Sequence, residues 1–185
     1  MKLIVAVKRI KCKDPQDPKY DELYFITAVN GKSQISGAFR RIKRGTDKIY
    51  SYDDKKTGEI IFEETIDKNS PVLITAMEQA ALRDGGRLAK MMEDIAKKGA
   101  DFLMEKIEQK SENLAEVFSK MRNFLLDNLV SAIKQIFKDT PVMKMVITEP
   151  YSPGVNCPVS YIMKGKSDKR PTYEYEIELL VTCVE

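Results

Sequence analysis

The residues of this chain that could perform acid–base or nucleophilic chemistry do not form a recognisable catalytic pattern. The sequence contains no histidine, which excludes histidine-based triads and removes the usual general base at neutral pH. Its carboxylate pairs, such as Glu63 with Glu64, are adjacent, and adjacent side chains point in different directions on a strand or helix. The segment Asp84-Gly85-Gly86-Arg87 lacks the spacing of a phosphate-binding loop. We therefore expect that the protein is not an enzyme.

The densest group of positive charge could attract an anionic surface, and it consists of Arg40, Arg41, Lys43 and Arg44. Such a cluster near an anionic membrane contributes about 1 kcal/mol per cation. Aspartates and glutamates follow it closely and would cancel part of its field, so a charged, solvated strand edge is the alternative. The net charge of +3 is too small to indicate a nucleic-acid partner. We predict a lipid or protein partner instead.

The three cysteines, Cys12, Cys157 and Cys183, lie in or beside predicted strands without a CxxC spacing. Their odd number argues against a disulfide framework, so we predict buried thiols. No signal-peptide core or membrane span is evident, since the opening apolar run is short and charged residues follow it. The expected location is cytoplasmic, or outside the cell after export without a classical signal.

The elements that must position any site change their hydrophobic period twice along the chain. Residues 1–83 and 141–185 alternate with a period of two, which indicates strands, and Asn30-Gly31 is a strong hairpin signal. The closing strand is the clearest, because Tyr173, Tyr175 and Ile177 alternate with glutamates. Short turns without a βαβ order favour an antiparallel β-sandwich within a single domain, 1–185.

Residues 84–140 have a helical period and form a two-helix amphipathic insertion between the strands. One helix over this length would be far longer than a small domain, so we expect a break near residues 109–112. Ser111 is the predicted N-cap of the second helix, and Pro141 is predicted to end it. Residues 34–42 are predicted to form one strand, and residues 50–52 a further short strand.

The apolar stripes of the helices could pack inside the molecule, associate with a partner or second copy, or act on a membrane. Charges of both signs on the polar faces favour packing of the helices inside the molecule over action on a membrane. The methionines favour an adaptable binding surface. The residues predicted for a membrane or partner surface are Met91, Met92, Phe102, Phe118, Met121 and Phe124, together with the basic group described above.

Several segments outside residues 84–140 resemble the calcium- and phospholipid-binding C-two domains. They are the opening strand 3–7, the acidic turn 14–17, residues 21–24, and the strands 59–64, 72–78, 142–148 and 158–184. The resemblance implies a C-two-like β-sandwich.

The same resemblance implies calcium as a possible cofactor, because the family binds it with aspartates from two loops. The corresponding residues here would be Asp14, Asp17, Asp21 and Glu78. Ala80 departs from the pattern where a second carboxylate is expected. The alternative is an ordinary solvated turn that Asp21 helps to cap.

Together these patterns predict a non-catalytic interaction module that acts at a membrane or protein surface through its acidic loop and helical insertion. A secreted membrane-disrupting effector, whose helices enter lipid, is one alternative. A structural subunit that forms homo-oligomers through the helical stripe is another.

Overall fold

The chain is described by a computed structural model over residues 1–50, 58–66, 70–78, 83–109, 113–137, 142–149, 157–170 and 172–185. Within these ranges seven strands precede two helices, and three strands follow them. In chain order the elements are β1 (Lys2–Asp14), β2 (Asp21–Val29), β3 (Lys32–Ile35), β4 (Phe39–Ile42), β5 (Asp47–Ile49), β6 (Glu59–Thr65), β7 (Val72–Glu78), α1 (Gly85–Gln109), α2 (Leu114–Ile136), β8 (Val142–Ile147), β9 (Val159–Ser167) and β10 (Tyr173–Val184).

The strands form two antiparallel sheets of five strands each. Sheet 1 has the order β5-β1-β10-β9, and β6 also pairs with β1. Sheet 2 has the order β3-β2-β7-β8, and β4 also pairs with β2. The turn Asn30-Gly31 joins β2 to β3 with positive φ at both residues, as its sequence predicts. The predicted β-sandwich with a two-helix insertion is thus confirmed.

The core between the two sheets is formed by the inward side chains of both. Alternate residues of β1 and β10 are buried in it, since successive side chains of a strand point to opposite faces. Its largest fully buried members include Leu3, Ile10, Phe25, Phe62 and Ile74.

The helices form a third layer that covers the outer face of sheet 2. A second buried cluster joins Tyr24, Ile26, Leu73 and Met77 of that sheet to the apolar stripes of both helices. Strands β2 and β7 are therefore buried on both faces, which explains their nearly continuous apolar sequences.

Gly99 sets the separation of the two helices. A Cβ atom at this position would lie 2.7 Å from Leu125 Cδ2 and 3.1 Å from Pro71 Cγ. Any larger residue here would force the side chain of Leu125 or of Pro71 to shift.

Some element boundaries differ from the sequence prediction. Residues 34–42 form parts of two strands, β3 and β4, because each pairs with a different part of β2. The N-cap of α2 is Asn113, whose side-chain oxygen accepts a hydrogen bond of 3.0 Å from the Ala115 N–H, and Ser111 lies outside the described residues. Most of the predicted strand 50–52 lies outside the described residues, and so does Pro141, which was predicted to end the second helix. The helix α2 ends at Ile136.

Candidate functional site

An open groove of about 610 Å³ crosses the outer face of sheet 1, the face opposite the sandwich core. Three neighbouring strands, β1, β10 and β9, supply its walls and floor. The groove is lined by Lys11, Lys13, Lys164, Gly165, Lys166, Glu174, Tyr175 and Glu176. We call it the lysine groove.

The strand register places a row of glutamates between two rows of lysines. Glu176 of β10 lies opposite Lys11 of β1 on one side and opposite Lys164 of β9 on the other. Glu174 lies opposite Lys166 of β9 on one side and opposite Asp14 of β1 on the other. Neighbouring strands are about 4.8 Å apart, so the two lysine rows are separated by roughly 10 Å.

Ion pairs connect these rows. Glu176 Oε1 lies 3.2 Å from Lys11 Nζ, its Oε2 lies 3.3 Å from Lys164 Nζ, and Glu174 Oε1 lies 2.8 Å from Lys13 Nζ. Hydrogen bonds from Lys11 and Lys164 lower the pKa of the Glu176 carboxyl below its ordinary value. The hydrogen bond from Lys13 lowers the pKa of Glu174 in the same way, so both carboxylates stay ionised near neutral pH.

Four lysines face two glutamates in the lining of the lysine groove, and Lys166 Nζ also lies 3.6 Å from Asp168 Oδ1, so a net positive charge remains. The side chains of Lys13, Lys164 and Lys166 are mostly exposed, at 75%, 69% and 62%. Exposed ion pairs are individually weak, at about 0–1 kcal/mol. The ammonium groups can therefore exchange a carboxylate partner for the oxygens of an anionic ligand.

Buried polar contacts hold the floor of the groove in place. The Tyr175 hydroxyl donates a hydrogen bond to Asp21 Oδ2, and burial together with this acceptor raises the tyrosine pKa. Burial also raises the pKa of the neighbouring Cys12 thiol to about 11, so this thiol is protonated and unreactive at neutral pH. A side chain at Gly165 would collide with the side chain of Met143 in sheet 2, which would then have to move.

The four acidic residues predicted for calcium are engaged within the protein. Asp21 is 1% exposed, and its two carboxylate oxygens accept hydrogen bonds of 2.7 Å from the Gln16 and Asp17 N–H groups. Asp17 accepts from the Lys19 N–H, and Asp14 pairs with Arg44. Asp21 thus caps the turn, as the alternative interpretation proposed.

Glu78, the fourth predicted ligand, ends β7 and lines a shallow pocket of about 280 Å³ with Asp17, Lys19, Tyr20 and Glu22. Within the described ranges, no three acidic, histidine or cysteine side chains are close enough together to hold a metal ion. The calcium prediction therefore gains no support.

The basic group at residues 40–44 is exposed but lies outside the lysine groove. Arg40 and Arg41 are on the short strand β4, and Arg40 Nε lies 3.9 Å from Glu22 Oε1. Lys43 and Arg44 belong to the turn that follows, and Arg44 contacts Asp14. Glu22 and Asp14 therefore offset part of this charge, whereas we expected the carboxylates that follow the basic group in the sequence to do so.

The predicted helical surface is divided by the packing of the helices. Met92 and Met121 are fully buried against sheet 2 and each other's helix, so they do not form a surface. Met91, Phe102 and Phe118 are half-buried, and Phe124 is 44% exposed. The prediction failed for the two methionines because the covering sheet cannot be read from a helical period.

The prediction of three buried thiols is wrong for two of the cysteines. Cys157 and Cys183 form a disulfide with their Cα atoms 5.7 Å apart, and only Cys12 is a free, buried thiol. The register explains the pairing, since Cys157 and Cys183 lie two residues beyond the opposed pair Val159 and Val181. Sequence spacing alone does not reveal this juxtaposition.

Neither the family models nor the curated proteins provide a match to this chain. The resemblance to C-two domains therefore stays a prediction. None of the helices within the described ranges is long and apolar enough to cross a membrane.

The lysine groove was missed in the sequence because its residues come from two parts of the chain that are far apart, 11–13 and 164–176. The available signal was a repeated spacing of two: Lys11 and Lys13, Lys164 and Lys166, and Glu174 and Glu176. Such spacing places each pair on one face of its strand. The order of the strands in sheet 1 then decides that the three pairs meet.

Proposed function

We propose that the protein is a non-catalytic interaction module that attaches to an anionic surface through the lysine groove. The single observation that carries this proposal is the convergence of four lysines from β1 and β9 on one open groove. Grooves with one dominant sign of charge concentrate counter-charged ligands and accelerate their association. Lysine ammonium groups are point charges that bind phosphate, sulfate and carboxylate oxygens.

The electrostatics of the groove favour binding over proton transfer. A general acid or base works best with a pKa near the operating pH. The glutamates of the groove have pKa values shifted in the opposite direction, below their ordinary value. Fixed charges of this kind suit recognition of a charged ligand.

The packing of the helices supports a structural role for them over insertion into lipid. Their apolar stripes already cover Tyr24, Ile26, Leu73 and Met77, and removing the helices would expose these side chains. Ser33 Oγ also donates a hydrogen bond of 2.7 Å to Glu93 Oε1 and ties α1 to β3. A membrane-disrupting effector would have to give up this whole interface.

Self-association is a second candidate, and the end of the helical pair favours it. The 25 residues of α1 span about 37 Å, whereas the seven residues of β7 span only about 23 Å. Near the outer end of the pair Met104, Ile107 and Leu114 are exposed at 56%, 37% and 56%. Light scattering over a range of concentrations tests this candidate, and a strict monomer would exclude it.

The proposed function is tested by reversing charge in the groove. The variant Lys164→Glu/Lys166→Glu and the unchanged protein are compared for binding to phosphatidylserine vesicles and to a sulfated dextran oligosaccharide. Each lysine contributes about 1 kcal/mol to the binding free energy, so we expect the variant to lose about 30-fold in affinity for whichever probe binds. The matched control is Lys97→Glu/Lys98→Glu on the exposed side of α1.

The control variant should retain its affinity, because its lysines lie on the opposite layer of the molecule. An equal loss in both variants would mean that net charge alone drives binding. Failure of the unchanged protein to bind either probe would overturn the proposed function.

A further inference from the structure

The lysine groove presents hydrogen-bond acceptors as well as cations, and we infer that its ligand is a sulfated polysaccharide. This inference rests on the proposed function and narrows the class of anionic partner. A sulfated polysaccharide carries sulfate groups for the lysines and hydroxyl groups for the glutamates on the same chain. Three features of the described residues support it.

The first feature is the glutamate row at the centre of the groove. The side chains of Glu174 and Glu176 are each 33% exposed and lie between the lysine rows. An ionised carboxylate only accepts hydrogen bonds and repels a bare phosphate or sulfate surface. A sugar hydroxyl can donate to it, and hydrogen bonds to a charged acceptor are roughly twice as strong as neutral ones.

The second feature is the shape of the site. The lysine rows belong to β1 and β9, which lie on opposite sides of β10 and are roughly 10 Å apart. The result is a trough with cations on both sides. A single extended chain can lie in a trough and contact both rows, whereas a flat bilayer surface contacts chiefly the outermost ammonium groups.

The third feature is the disulfide between Cys157 and Cys183, which are 5% and 9% exposed. Disulfides persist in oxidising compartments and are rare in the cytosol. Anionic phospholipids are concentrated on the cytoplasmic leaflet of membranes. A protein that works with this bond intact therefore meets polyanions outside the cytosol, where sulfated polysaccharides occur.

The test compares two polyanions that share charge but differ in hydroxyl groups. Binding of the disulfide-intact protein is measured at about 150 mM salt, where long-range attraction is screened. The probes are a sulfated dextran oligosaccharide and inorganic polyphosphate of matched charge, with phosphatidylserine vesicles as a third arm. We expect the sulfated dextran to bind about tenfold more tightly than either other probe.

The variant Glu174→Ala/Glu176→Ala sharpens the test, because it makes the groove more positive and removes the acceptors. Polyphosphate should bind this variant more tightly, since a repulsive charge is gone. Sulfated dextran should gain less or lose affinity, so that its tenfold preference collapses. Both substitutions are on the exposed face of β10, and thermal melting verifies that the variant is folded.

The outcomes separate the two proposals. Equal affinity for sulfated dextran and polyphosphate, tighter binding to vesicles, or a preference that survives the glutamate substitutions would overturn the polysaccharide inference. Loss of all binding in Lys164→Glu/Lys166→Glu would still support the lysine groove as the site that binds anions. Absence of binding to all three probes in the unchanged protein would overturn both.

Discussion

The outer faces of the two sheets differ in what covers them. Sheet 2 carries α1 and α2 on its outer face, and there Tyr24, Ile26 and Leu73 are fully buried. Sheet 1 has lysines and glutamates on its outer face near the groove. The helical layer lies where the strands are apolar on both faces, and the proposed binding surface lies where a strand alternates.

The sequences of the strands reflect this difference directly. Strand β7 is buried along nearly its whole length, whereas β10 alternates between buried and partly exposed positions. Burial contributes about 25 cal/mol per Å² of apolar surface, so the covered face holds most of the stability of this region. The exposed ion pairs of the charged face contribute little to stability.

The largest effect is expected from weakening the covered face. Leu125 of α2 is fully buried beside Gly99 of α1 in the cluster between the helices and sheet 2, so Leu125→Ala should lower the free energy of unfolding by about 2–5 kcal/mol. The matched control is Phe124→Ala, the adjacent residue of α2, which is 44% exposed. Urea unfolding followed by circular dichroism measures both. Similar losses for the two variants would contradict the helical packing described here.

An intermediate effect is expected at the open end of the β9–β10 hairpin. Sheet 1 lacks the helical layer there, and the bond between Cys157 and Cys183, 26 residues apart, ties the two strands together. The variant Cys157→Ser/Cys183→Ser lacks this bond, so its unfolded chain has more conformational entropy. Its free energy of unfolding should be lower by about 3 kcal/mol. Thermal melting with and without a thiol reductant checks this, with Cys12→Ala as the variant that keeps the bond. If the reductant left the melting temperature of the unchanged protein the same, that result would contradict the cross-link.

The smallest effect is expected from the charged face. Glu174→Ala/Glu176→Ala should lower the free energy of unfolding at neutral pH by less than either of the preceding variants, because exposed ion pairs are weak. The folded-state pKa values of both glutamates are lowered from the ordinary 4.5. Their contribution is therefore present above pH 4.5 and disappears as the pH falls through the folded-state values.

Urea titrations at pH 7 and at pH 3 measure this contribution as the difference between the variant and the unchanged protein. The difference should shrink at the lower pH. If the glutamate variant lost as much free energy of unfolding as Leu125→Ala, the covered and charged faces would contribute equally to stability. That result would contradict the difference between the two sheets.

The sequence predicted the β-sandwich and its two helices because each depends on a local period. It also predicted the turn at Asn30-Gly31 and the turn-capping alternative for Asp21, since both use neighbouring backbone groups. The wrong cysteine prediction and the missed groove share one cause. Cys157 with Cys183 and Lys11 with Lys164 are brought together by strand register, and the register is a long-range property.

The sequence by itself determined where strands and helices form and which strand faces are apolar, because side-chain periodicity and turn chemistry act over a few residues. Tertiary structure alone decided that the helices lie on sheet 2 and that β10 lies between β1 and β9. The reason is physical: packing selects among the many arrangements that bury the same apolar faces. Only the selected arrangement turns three separate charged pairs into one groove.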